Sequence, residues 1–65
     1  MGTMTPEKFI AWVQERYQLP NKTASVKKAA ELIKTREITI WQWLGGTRKA
    51  SPSMVLLMEL VTRYY

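Results

Sequence analysis

A chain of 65 residues can form one small domain, whose hydrophobic core is expected to supply about 3–5 kcal/mol of stability. It contains no cysteine and no histidine, which excludes disulfides and thiolate metal sites and removes the usual general bases and nucleophiles, so we expect no catalytic residue, metal ion or other cofactor. The net charge of +5 lies on one segment, because seven basic residues stand against two acidic ones between Asn21 and Lys49 and the remaining charges cancel.

The chain begins with Met1, Gly2 and Thr3 before a second methionine, Met4. We interpret residues 1–3 as the remnant of an expression vector and residues 4–65 as a single domain. No signal-peptide pattern and no apolar run long enough to cross a bilayer is present, so we expect an intracellular protein without a membrane partner.

The first helix is predicted over about residues 5–17. Thr5 followed by Pro6 is typical of a helix start, with a capping residue before proline at the first helical position. An apolar stripe at helical spacing is expected to face the core, with its two largest aromatic residues partly exposed: Phe9, Ile10, Trp12, Val13 and Tyr17.

Two short helices are predicted next, over about residues 25–33 and 36–44. Ser25 is a plausible N-cap of the first of them, and Thr35 of the second. Ala29, Ala30 and Ile33 share one face, and the two alanines allow a neighbouring helix to approach closely.

The third predicted helix has an inner and an outer face. Ile40, Trp43 and Leu44 face inward together, and Gly45-Gly46 ends the helix because glycine readily adopts the left-handed conformation. The outer face carries Glu37, Ile38, Trp41 and Gln42. The alternative is a strand over residues 38–43, because β-branched and aromatic residues favour one.

The last helix is predicted over about residues 52–64, with Ser51 or Ser53 as its cap and Pro52 in its first turn. It is apolar around much of its circumference, more than one small core needs, which is typical of an interface. We therefore expect a homodimer through this helix, with four residues in contact: Leu57, Val61, Tyr64 and Tyr65. The alternative is that the two terminal tyrosines fray.

The segment from Ser25 to Gly46 resembles the helix-turn-helix of the Cro and lambda-like phage repressor family. The matching residues are a cap, an alanine pair, three apolar residues and a terminal glycine: Ser25, Ala29, Ala30, Ile33, Ile40, Trp43 and Gly46. The segment from Thr47 to Pro52 looks like the family's basic loop and the proline that opens its next helix. The resemblance implies an all-α fold, a compact bundle of four to five short helices containing a helix-turn-helix.

The function that this resemblance implies is sequence-specific repression of transcription. Proteins of this phage or mobile-element type, the anti-CRISPR-associated repressors among them, bind a palindromic operator on double-stranded DNA. Here the chain would act as a homodimer in the cytoplasm of a bacterial host, with half-sites about 10 bp apart. The concentrated positive charge agrees with phosphate binding.

The resemblance implies the base contacts, whereas the basic residues and the amide groups near Ser25 indicate the phosphate contacts. The residues expected to contact bases are Arg36, Glu37, Ile38, Thr39, Trp41 and Gln42. The residues expected to contact phosphates are Ser25, Lys27, Lys28, Lys34, Arg48 and Lys49. Trp41 has two open interpretations, a DNA contact or a protein contact.

One residue departs from the family pattern. Lys34 stands where the family often has glycine, so either it holds a costly positive φ or the turn differs. Two other functions stay open beside repression. The first is a protein-interaction module, an inhibitor or adaptor that docks through Ile38, Trp41 and Tyr65, and the second is non-specific coating of nucleic acid.

Overall fold

The computed structural model describes residues 4–65, so the residues that we assigned to an expression vector lie outside it. Its described residues form four α-helices and no strand: α1 (Pro6–Arg16), α2 (Lys22–Leu32), α3 (Glu37–Leu44) and α4 (Pro52–Tyr64). The expected all-α fold is confirmed. The strand alternative for residues 38–43 is wrong, because this segment lies within α3.

The starts of α1 and α4 agree with the sequence. The Thr5 hydroxyl accepts a hydrogen bond from the Lys8 backbone N–H at 3.2 Å. The Ser51 hydroxyl accepts one from Met54 N–H at 3.3 Å, so Ser51 and not Ser53 is the cap of α4. In both helices a proline occupies the first turn, where its missing N–H costs nothing.

The start of α2 differs from the prediction of a helix over 25–33. Its N-cap is Asn21, whose side-chain oxygen accepts a hydrogen bond from Ala24 N–H at 2.8 Å, so α2 begins at Lys22. The prediction that Ser25 caps this helix is wrong. Ser25 is fully buried, and its hydroxyl donates to the Asn21 carbonyl at 2.9 Å, a back-bond that satisfies a polar group inside a helix.

The first three helices end in the same turn, a Schellman motif, in which one residue adopts a positive φ. That residue is Gln18 after α1 (φ 52°), Lys34 after α2 (φ 57°) and Gly46 after α3 (φ 80°). The residue that follows donates its N–H to a carbonyl of the last helical turn: Leu19 to Gln14 at 2.9 Å, Thr35 to Ala30 at 3.0 Å and Thr47 to Gln42 at 3.0 Å. Of the two alternatives for Lys34, the positive φ is therefore the one that holds.

The turn between α2 and α3 spans residues 33–36. Arg36 is the N-cap residue of α3 and makes no side-chain capping bond, so the prediction that Thr35 caps α3 is wrong. Thr35 instead donates its backbone N–H to the α2 turn. Because no side chain caps the N-terminus of α3, packing of its inner face against the core stabilises the helix more than capping does.

The core lies where α1 meets the other three helices. α1 packs against α2, α3 and α4, and α2 also packs against α3. The buried apolar residues come from all four helices and the turn after α2: Phe9, Ile10, Val13, Val26, Ala29, Ala30, Ile33, Ile40, Met58 and Val61. Trp12 and Tyr17 are partly buried against this core, as expected.

Candidate functional site

α3 is anchored by one face and presents the other to solvent. Ile40 is the buried residue of this helix, and Trp43 and Leu44 pack partly buried against the core. The six residues expected to contact bases lie on the remaining surface. Arg36, Glu37, Ile38 and Trp41 are exposed, whereas Thr39 and Gln42 are half-buried.

Ile38 is the most exposed apolar residue of this outer face. Its side chain is 58% exposed, and Trp41 lies one helical turn further on with 36% exposure. An apolar residue at such a position is available for contact with a thymine methyl group or with another protein. The outer face of α3 therefore combines charged and apolar groups.

The N-terminus of α2 lies beside this face. The Lys22 ammonium is 5.9 Å from the centroid of the Trp41 ring, within the range of a cation–π contact. Lys22 is absent from the predicted phosphate contacts, because α2 was expected to start at Ser25. The signal in the sequence that could have identified it is Asn21, a favoured N-cap residue directly before Lys22.

A shallow groove separates α2 from the start of α3. Its lining includes two cations, Lys27 and Arg36, and two carboxylates, Glu31 and Glu37. Lys34, in the turn between the two helices, is exposed as well. The groove is therefore of mixed charge. The cations in its lining and Lys34 in the adjoining turn are all exposed to solvent.

Two residues expected to contact phosphates are placed differently from the rest. The contact predicted for Ser25 rested on free amide groups at the start of a helix. Ser25 lies inside α2 instead, has no exposed surface and donates its backbone N–H to the Asn21 carbonyl at 3.2 Å, so this prediction is wrong. Lys28 lies 4.8 Å from the centroid of the Tyr17 ring and 4.0 Å from the Glu31 carboxylate. Its phosphate contact stays a prediction, and a phosphate would have to compete with both partners.

The loop after α3 carries the other two expected phosphate contacts, Arg48 and Lys49, and both are exposed. The loop is fixed to α3 at its start, because the backbone N–H groups of Thr47 and Arg48 both donate to the Gln42 carbonyl, at 3.0 and 3.2 Å. The two cations therefore follow α3 at a position that the end of the helix determines.

The four residues of α4 and its end that were expected at a dimer interface differ in their exposure to solvent. Val61 is only 3% exposed and belongs to the core of its own chain, so its assignment to a dimer interface is wrong. Leu57 is partly buried against the core, while Tyr64 and Tyr65 are exposed. The prediction omitted Leu56 and Leu60, which are 56% and 40% exposed and lie at four-residue spacing with Tyr64.

No protein-family model matches this chain, and neither does any curated protein or solved structure with which it was compared. Within residues 4–65, no helix is both long enough and apolar enough to cross a membrane. The same residues contain no group of three acidic side chains placed to hold a metal ion together.

Proposed function

We propose that this protein is a small sequence-specific repressor, of phage or mobile-element type, that binds double-stranded DNA as a dimer. The observation that carries the proposal is the position of α3. Ile40 anchors one face of the helix, the opposite face is exposed, and the net charge of the chain is confined to the segment around it. The major groove of B-DNA, about 12 Å wide, admits one α-helix.

The cations on either side of α3 support contacts to the DNA backbone. Lys34 and Arg36 precede the helix, and Arg48 and Lys49 follow it, all of them exposed. Phosphate contacts of this kind fix the position and orientation of a protein on the duplex but carry no sequence information. Lys22, beside Trp41, adds a cation at the edge of the same surface.

The exposed residues of α3 have the chemistry for direct base contacts. The Arg36 guanidinium suits the O6 and N7 atoms of guanine, and the Glu37 carboxylate can accept a hydrogen bond from cytosine N4. Ile38 suits a thymine methyl group, and the Gln42 amide can pair with N6 and N7 of adenine. Gln42 is half-buried, so Arg36, Glu37 and Ile38 are the more accessible of the four.

The proposal is tested by selecting bound duplexes from a random DNA pool at near-physiological salt and sequencing them. We expect an enriched inverted repeat with half-sites about 10 bp apart, one turn of the double helix. A pool without enrichment contradicts sequence-specific binding. Non-specific coating predicts equal affinity for the enriched duplex and a scrambled one, so a competition between these two duplexes separates that function from repression.

A second candidate function is favoured by the exposure of Ile38 and Trp41. Apolar side chains on the outer face of α3 suit a protein partner, and in that case the domain is an inhibitor or adaptor. Retention on immobilised heparin, with elution by salt, distinguishes the two functions. Phosphate binding gives strong, salt-dependent retention, whereas an apolar protein contact does not require it.

A further inference from the structure

α4 carries an apolar ridge on the side facing away from the core. Leu56, Leu60 and Tyr64 follow one another at four-residue spacing and are 56%, 40% and 75% exposed. The opposite side of the helix is buried through Met58 and Val61. One small core thus accounts for one side of α4 and leaves the other side without a partner among residues 4–65.

We propose that this ridge packs against the same ridge of a second copy of the chain, with the two α4 helices antiparallel and a two-fold axis passing close to Leu60. In this arrangement Leu60 faces Leu60 of the partner subunit, and Leu56 faces Tyr64 of the partner subunit. Such an interface is isologous, the commonest kind in homodimers. Ridges at four-residue spacing pack with the helix axes crossing at about −50°.

The charge distribution favours a second copy on this face over the other faces. Each chain carries a net charge of +5, so two copies repel each other. That excess lies between Asn21 and Lys49, whereas the segments with α1 and α4 are neutral in sum. The charged residues next to the ridge on α4 are Glu59 and Arg63, of opposite sign. Two copies therefore meet here with less repulsion than at α2 or α3.

A hydrogen bond connects the C-terminal end of the ridge to the end of α1. The Arg16 Nε–H donates to the Tyr65 carbonyl oxygen at 3.1 Å, and Tyr65 N–H donates to the Val61 carbonyl at 2.9 Å. Tyr65 is 59% exposed beside Tyr64, which extends the patch. Tyrosine is enriched in protein interfaces because it combines a large apolar surface with a polar end.

The size of the patch predicts a weak dimer. Three ridge residues and Tyr65 are few compared with the roughly 20–30 residues that each partner contributes to a standard interface. We therefore expect a dissociation constant in the micromolar range or higher. The role of the dimer, bringing two α3 helices to two half-sites, rests on the proposed function. The interface itself does not, and it can be tested in the absence of DNA.

The first experiment measures self-association of the full chain by sedimentation equilibrium, from about 1 µM to about 1 mM. We expect a reversible monomer–dimer equilibrium. Leu60→Glu should raise the dissociation constant at least about tenfold, because it places two like charges across the axis. Thr23→Glu adds the same charge at an exposed position of α2 and should leave the constant within about twofold. Circular dichroism checks that both variants are helical.

A second experiment tests the symmetry. The chain has no cysteine, so a single introduced thiol reports on one position. With oxidised glutathione as oxidant, Leu60→Cys should form a disulfide-linked dimer faster than Leu56→Cys, because a residue on a two-fold axis faces its own copy. Thr23→Cys gives the rate of random collision.

The outcomes separate the interface from the proposed function. A protein that is monomeric throughout, a dimer insensitive to Leu60→Glu, or crosslinking of Leu60→Cys no faster than that of Thr23→Cys overturns the interface. If the DNA pool shows no enrichment while the dimer behaves as expected, repression fails and the interface stands. If a single half-site is enriched and the protein is monomeric, the interface fails and DNA binding stands.

Discussion

The outer faces of α3 and α4 both expose large apolar side chains, but their electrostatic surroundings differ. Ile38 and Trp41 belong to the segment that carries the whole net charge, with the Lys22 ammonium 5.9 Å from the centroid of the Trp41 ring, whereas Leu56, Leu60 and Tyr64 lie in a part of the chain whose charges cancel. Apolar exposure alone therefore does not identify a partner. The surrounding charge favours a polyanion at α3 and a second copy of the chain at α4.

The largest effect is expected within α3, where the inner and outer faces can be compared directly. Ile40→Ala removes a side chain that is 1% exposed and should destabilise the domain by about 2–5 kcal/mol, comparable with its whole stability. Ile38→Ala, at an exposed position of the same helix, should cost within about 0.5 kcal/mol. Urea unfolding followed by circular dichroism measures both. Similar losses would mean that the outer face of α3 is also a packing surface.

The next effect concerns base recognition on α3. Gln42→Ala should weaken binding to the selected operator by about 1–3 kcal/mol, the value of one good base contact, while binding to a scrambled duplex stays within about twofold. Fluorescence anisotropy with both duplexes gives the two affinities. An equal loss on both would remove Gln42 from base recognition. Because Gln42 is half-buried, the urea unfolding curve of the Gln42→Ala variant is also measured, so that a loss of stability is not mistaken for a loss of affinity.

A smaller effect tests the charged surroundings of α3. Arg48→Ala should weaken binding to operator and scrambled duplexes to the same extent and lower the slope of log K against log salt by about 1. Lys8→Ala removes one charge from an exposed position of α1, in the neutral part of the chain, and should leave the slope unchanged. Equal slopes for the two variants would show that net charge, and not its position, governs binding.

The smallest effect tests the turn that orients α3. Lys34→Gly should stabilise the domain by about 0.5–1 kcal/mol, because glycine adopts a positive φ without strain. Gly46→Ala is the matched opposite: no atom lies within 4 Å of an added Cβ, so backbone strain alone should destabilise it by about 1 kcal/mol. Thermal unfolding measures both. Lys34→Gly should also weaken DNA binding if Lys34 contacts a phosphate, and stability and affinity then change in opposite directions.

Sequence reasoning located α1 and α4 well because each begins with a hydroxyl residue before proline, a local signal that fixes the end of a helix. It misplaced α2 because Asn21 and Ser25 are both good caps and lie one helical turn apart. Which of them stands outside the helix depends on burial of Ser25 against the core, which is a tertiary property.

The same limit explains the errors in the two candidate surfaces. α4 is apolar on several sides, so periodicity did not distinguish Val61, which is buried, from Leu60, which is exposed. The outer face of α3 was easier to predict because Ile40, Trp43 and Leu44 lie at helical spacing on one side of a short helix, which leaves the remaining residues on the other side. The positive φ of Lys34 follows from the hydrogen bond between Thr35 and Ala30 and not from the preference of lysine.

The paired hydrogen bonds from Thr47 and Arg48 to the Gln42 carbonyl have a thermodynamic consequence. They and the Schellman turn after α2 join the backbone of α3 to that of the turn before it and of the loop after it, without any ligand. Association should therefore proceed without coupled folding, and the heat-capacity change measured by calorimetry should match the apolar area buried at the contact, with no additional contribution from ordering of the chain.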